Sequence, residues 1–78
     1  MSTEPIKEFD PIVLTQDLPA EGLRAGDVGW VVLVHRDGAG FEVEFVTLGG
    51  ETVSVVTLAA GALRPVGPRE IAHVRAVA

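Results

Sequence analysis

A chain of 78 residues forms one small domain, and a domain near this size buries only about 60% of the surface of its unfolded chain. The absence of cysteine excludes disulfides, thiolate catalysis and sulfur-ligated metals. Six basic residues against eleven acidic ones give a net charge of −5, which disfavours nucleic acid and anionic membranes and suits a basic protein partner.

Residues 1–8 are polar and carry Pro5, so they read as a flexible leader with no signal-peptide or anchor pattern. No stretch approaches the length of a membrane span, and a cytoplasmic bacterial protein is the expectation. Ile12 to Gln16 is the first predicted strand, with Pro11 at its margin, where no ladder donor is needed. Leu18-Pro-Ala-Glu-Gly22 reads as a turn that drops Leu23 into the core, and Gly26-Asp27 as a second tight turn.

The central strand is predicted over residues 28–36. Both of its alternating sets are apolar, as in a strand covered on two sides. Gly29 is the expected bulge or bend point, the device by which small barrels curve. Asp37-Gly-Ala-Gly40 closes a hairpin onto Phe41-Glu-Val-Glu-Phe45, the cleanest period-two segment in the chain. Phe41, Val43 and Phe45 share one face of that strand, and Glu42 and Glu44 share the other.

Leu48-Gly49-Gly50 turns the chain into a fourth strand over residues 51–57. Ala59-Ala-Gly-Ala62 reads as a single 3₁₀ turn before a last strand around residues 62–66. The prediction is therefore an all-β fold: a small five-stranded antiparallel SH3-like barrel over residues 9–66, closed so that no sheet edge is left exposed. Residues 67–78 carry Pro68 and place Ile71, Val74 and Val77 at helical spacing. They predict a short C-terminal helix, or an extra strand, packed on the barrel or on a partner.

The blocks Phe9-Asp-x-Ile-Val-Leu14, Leu18-Pro-Ala-Glu-Gly-Leu-Arg-Ala-Gly-Asp-Val-Gly29, Val43-Glu-Phe45 and Gly50-Glu-Thr-Val53, continued by Leu58 to Arg64, carry a family likeness. On them, the chain resembles the uncharacterised bacterial family called domain of unknown function 4926, over roughly residues 9–66. More distantly, the Gly-x-x-Gly-x-Val-Val strand looks like the barrels of KOW domains and of the nitrile hydratase β-subunit. The family resemblance implies a small stand-alone protein without attached activity. Some members look like neighbours of toxin-like genes, which implies an antitoxin or immunity role. Trp30 and Leu33 depart from the family pattern, and the strand lacks the basic residues by which KOW domains touch RNA.

Chemistry-bearing constellations are sparse. Glu42 and Glu44 lie about 7 Å apart along one strand face, but a general acid and base need a desolvated cleft to separate their pKa values, and an open strand has none. His35 and His73 are far apart in sequence. With Asp37 or Glu70 added, they match no recognised zinc spacing. Ser54 has no nucleophile elbow, and the glycine-rich turns lack a phosphate-loop lysine. No catalytic residue, metal or cofactor is expected.

Trp30 is either core or, if a bulge at Gly29 turns it outward, the centre of an exposed patch with Leu33 or Val31. The candidate interface comprises Trp30, Leu33, Glu42, Glu44, Ile71 and Val74. The expected function is a non-enzymatic acidic protein–protein interaction module, of antitoxin type where the partner is toxin-like. The alternatives are a self-associating structural or accessory protein and a KOW-like RNA-contacting module.

Overall fold

A computed structural model describes residues 5–77. Five strands, β1 (Pro11–Leu14), β2 (Val28–His35), β3 (Gly40–Val46), β4 (Thr52–Ala59) and β5 (Leu63–Pro65), form one antiparallel sheet in the order β4-β3-β2-β1-β5. Between them lie only 3₁₀ turns, at Pro19–Glu21, Arg36–Gly38 and Ala60–Ala62. The SH3-like class follows from this connectivity: a three-strand meander, β2-β3-β4, with the first strand joined to the last.

The core collects the inward positions of every strand. Ile12, Leu14, Val31, Phe41, Val43, Phe45, Leu58 and Leu63 are buried, and Leu23 enters from the loop after the first 3₁₀ turn. The alternation of β3 is complete, with Phe41, Val43 and Phe45 inside and Glu42 and Glu44 outside. No polar or charged side chain is buried among the described residues. The fold is therefore held by apolar burial and the backbone ladder, with polar pairs confined to the surface.

Gly29 keeps the ladder in register opposite Ile12 and is not the bulge. It faces the core because Phe45 lies over it. A Cβ there would stand 2.6 Å from Val43 Cγ1 and 2.7 Å from the Phe45 ring. The register shift falls between Val31 and Leu33. The extra residue, Val32, puts Leu33 on the outer face and returns Val34 to the core side, so a strand with two apolar faces buries only one of them.

Two further expectations are corrected. Residues 67–77 form neither helix nor strand. A ten-residue helix is marginal alone, and this segment is instead tied to the body of the domain by two ion pairs. Arg64 forks onto Glu70 at 2.8 and 2.7 Å, and Arg75 forks onto Asp27 at 2.8 and 2.6 Å while also donating to the Gly22 carbonyl. The two anchors flank Val13, whose neighbours in register are Val28 and Arg64 and which is buried although it belongs to the outer face.

Next, the ladder does not close. No pairing joins β4 to β5 among the described residues, and β5 is only three residues long, with a proline that has no amide to donate. Of the expected leader, residues 1–4 lie outside the described residues. Within residues 5–8, Ile6 packs against the core and the Lys7 amide donates to the Asp10 carboxylate.

Candidate functional site

The outer face of the β2–β3–β4 meander is the one place where the sequence-selected residues meet. Alternation from the inward Gly29 and Val31 turns Trp30 outward, where it is 49% exposed. Across the sheet it stands between Pro11 on β1 and Glu44 on β3, and Glu44 in turn faces Val55 on β4. One step along, Leu33 faces Glu42, which faces Thr57. Trp30, Val32, Leu33 and Val55 are all exposed, and they form an apolar surface interrupted by two carboxylates.

Both carboxylates are fixed in place. Glu42 Oε2 accepts from the Thr57 hydroxyl at 2.6 Å and contacts His35 Nε2 at 2.8 Å. The Thr57 hydrogen bond first, and then the His35 ring, hold the Glu42 carboxyl below the usual carboxylate range. Glu44 Oε2 accepts from Thr52 Oγ1 at 2.6 Å. In each case Oε1 has no hydrogen-bond partner among the described residues. The face thus carries two carboxylates along β3, with apolar side chains of β2 on one side and Val55 of β4 on the other.

Trp30, Leu33, Glu42 and Glu44 are brought together. Val31, the alternative companion of Trp30, is fully buried. Ile71 and Val74 are carried apart from the sheet on the tail, 93% and 73% exposed, because the tail is held by its arginine and glutamate anchors and not by its apolar residues. Sequence reasoning missed Val32 and Val55 as members of the patch, and His35 and Thr57 as the groups that hold Glu42. The signal for Thr57 was its place one strand over from Glu42. The signal for Val32 was absent, since a bulge is set by packing.

No group of three or more metal-ligating side chains occurs among the described residues. His35 is engaged with Glu42. No helix of the described residues is long and apolar enough to cross a membrane.

The sheet order and its outer face define a small acidic protein with an SH3-like β-fold. The family model described as "Domain of unknown function (DUF4926)" matches residues 8–65, most of the chain, and the protein belongs to that family. Searches of curated proteins and of solved structures find no match.

Proposed function

We propose that the protein is a non-enzymatic protein–protein interaction module that works through the outer face of β2–β3–β4. The observation that carries this reading is Trp30. A chain with a single tryptophan and a small core leaves that residue half exposed, beside the fixed carboxylate of Glu44. Tryptophan is enriched among the residues that carry binding energy at interfaces, and exposed apolar patches mark contact surfaces.

The partner is a basic protein, on the grounds of the chain's charge of −5 and of the free oxygens of Glu42 and Glu44. About 800 Å² per partner suffices for a specific complex. An antitoxin or immunity role in the cytoplasm fits such a module, with the acidic face covering the working surface of a toxin-like protein. Self-association through the same Trp30 face is the second reading, favoured by the apolar stripe of Val32, Leu33 and Val55.

The test is capture from the native host, after nuclease treatment, on wild-type and Trp30→Ala baits. A basic protein held in stoichiometric amount by the wild type and lost by Trp30→Ala, at unchanged melting temperature, is the expected result. Equal capture by both baits removes Trp30 from the function. A dimeric mass by light scattering without any partner moves the assignment to self-association.

A further inference from the structure

The two outer strands of the sheet end in different ways. The edge at β5 is blunted, being three residues long with Arg64 and Pro65 in it, the usual protection against unwanted pairing. The edge at β4 has none of these devices. Thr52–Ala59 runs for eight residues, TVSVVTLA, without a charge, a proline or a glycine.

Which backbone groups face outward there follows from the ladder. The Val31 amide donates to the Asp10 carbonyl at 3.0 Å and its carbonyl accepts from the Phe9 amide at 2.6 Å, so the peptide groups of Val31 point toward β1. Successive residues of an antiparallel strand point alternately to either side. Trp30 therefore points to β3, its register partner Glu44 to β2, and Val43 to β4. Val43 is opposite Val56, which leaves Val55, Thr57 and Ala59 pointing away from the sheet. No strand pairs with β4 on that side among the described residues, and no loop backbone group is bonded to these three amides.

We infer that β4 is a docking edge for an extended segment of a basic partner, added as a sixth strand hydrogen-bonded to Val55, Thr57 and Ala59. This deepens the interaction-module reading and rests on it for the partner's charge. Charge complementarity selects the occupant. The side chains beside the edge on the outer face are Val55 and Thr57, both short, and directly behind them stand Glu44 and Glu42.

Neighbouring strands lie about 4.8 Å apart, so a residue on the added strand is about 10 Å from those glutamates. A lysine or arginine spans that distance over a valine or threonine and reaches the free Oε1 atoms. On the inner face the added strand lies beside half-buried Val56, where apolar side chains fit. The occupant is thus a strand that alternates basic and apolar residues. Main-chain bonds give such docking its affinity, and the alternate side chains give its specificity. A second copy pairing through its own β4, TVSVVTLA, would bring no cation to the two glutamates.

The experiment is amide hydrogen exchange and chemical-shift titration on the full chain, with the peptide acetyl-(Lys-Val)₄-amide as probe and acetyl-(Glu-Val)₄-amide as control. In the free protein the amides of Val55, Thr57 and Ala59 exchange fast while that of Val56 is protected. With the lysine peptide, exchange at the three edge amides slows by about tenfold or more, the effect weakens with salt, and the glutamate peptide does nothing. The Glu42→Gln/Glu44→Gln double variant, whose amide dispersion reports its fold, loses the preference for lysine.

Four results overturn the inference: slow exchange at the three amides in the free protein; slowing that depends on protein concentration without peptide, which means copies pair with each other; equal response to both peptides; or shifts confined to Trp30 and Leu33. Its fate is separable from that of the Trp30 face. If the edge fails while Trp30→Ala still abolishes capture, the face stands alone. If the peptide protects the edge and capture ignores Trp30, the edge stands alone.

Discussion

Gly29→Ala tests how the core forces Trp30 outward. The new methyl carbon would lie 2.6 Å from Val43 Cγ1 and 2.7 and 2.9 Å from two atoms of the Phe45 ring, all of them buried. Contacts this close require the ring to move, and neighbouring side chains on the packed face leave it little room. Overpacking of this kind costs about 1–3 kcal/mol. Replacing glycine also restricts the unfolded chain, which returns about 0.4–1 kcal/mol, because Gly29 has no left-handed backbone that alanine would strain.

The net loss is about 1–2 kcal/mol, and in a domain this small each kcal/mol moves Tm by about 4–8 °C. A drop of about 5–15 °C in calorimetry is the expected outcome. Adding Phe45→Leu removes the ring that the methyl meets, so the double variant should be more stable than the two separate losses predict, by a coupling of about 1 kcal/mol. An unchanged Tm for Gly29→Ala, or strict additivity in the cycle, would show that Phe45 does not lie over Gly29, and the outward placement of Trp30 would lose its cause.

Other consequences are simpler to read. Trp30→Ala should leave Tm nearly unchanged, and the wild-type fluorescence should be red-shifted and open to iodide quenching. A blue-shifted, unquenchable emission would bury the ring. Val43→Asp puts an unpaired carboxylate at a fully buried position and should abolish cooperative unfolding, whereas Val55→Asp on the exposed outer face should stay folded. A folded Val43→Asp would invert the facing of β3.

The tail anchors predict acid sensitivity. The Arg75 hydrogen bond lowers the Asp27 carboxyl, and the Arg64 hydrogen bonds bring Glu70 down to about 2. Folded-state values below the unfolded ones mean that this stabilisation is complete above about pH 4.5 and lost as pH falls toward 2. The wild type should therefore exceed an Arg64→Gln/Arg75→Gln variant in Tm by a few degrees at pH 7, with the gap closing by pH 2. A gap independent of pH would mean that the arginines act by packing alone.

Most of the sheet was legible because period two is a strong signal where one face is wet. Phe41 to Phe45 could be read directly, and so could the burial of Leu23 and the 3₁₀ turn at Ala60–Ala62. In β2 the signal failed. A run of Val, Trp and Leu looks the same from either face, and the bulge at Val32 is a matter of register between β2 and β3, which one strand's sequence does not carry. The tail was misread for a related reason. Ile71, Val74 and Val77 have helical spacing, but Arg75 finds its partner in Asp27, 48 residues away in sequence, and Glu70 finds Arg64 on β5. Of the candidate interface, Trp30, Leu33, Glu42 and Glu44 share one face of the sheet, whereas Ile71 and Val74 lie apart on the tail. The uncapped edge of β4 was hidden behind the expectation of a closed barrel.

The pairing of β1 with β5 has a consequence for how the chain folds. Ile12 meets Pro65 and Leu14 meets Leu63, contacts about 50 residues apart that carry a large loop-closure entropy and form slowly. The meander β2–β3–β4 needs only hairpins and is free to form early. During synthesis, β1 leaves the ribosome first yet gains its second neighbour last. Until β5 arrives, Ile12 and Leu14 have a strand on one side alone, and that interval is when the chain is most open to capture by another strand.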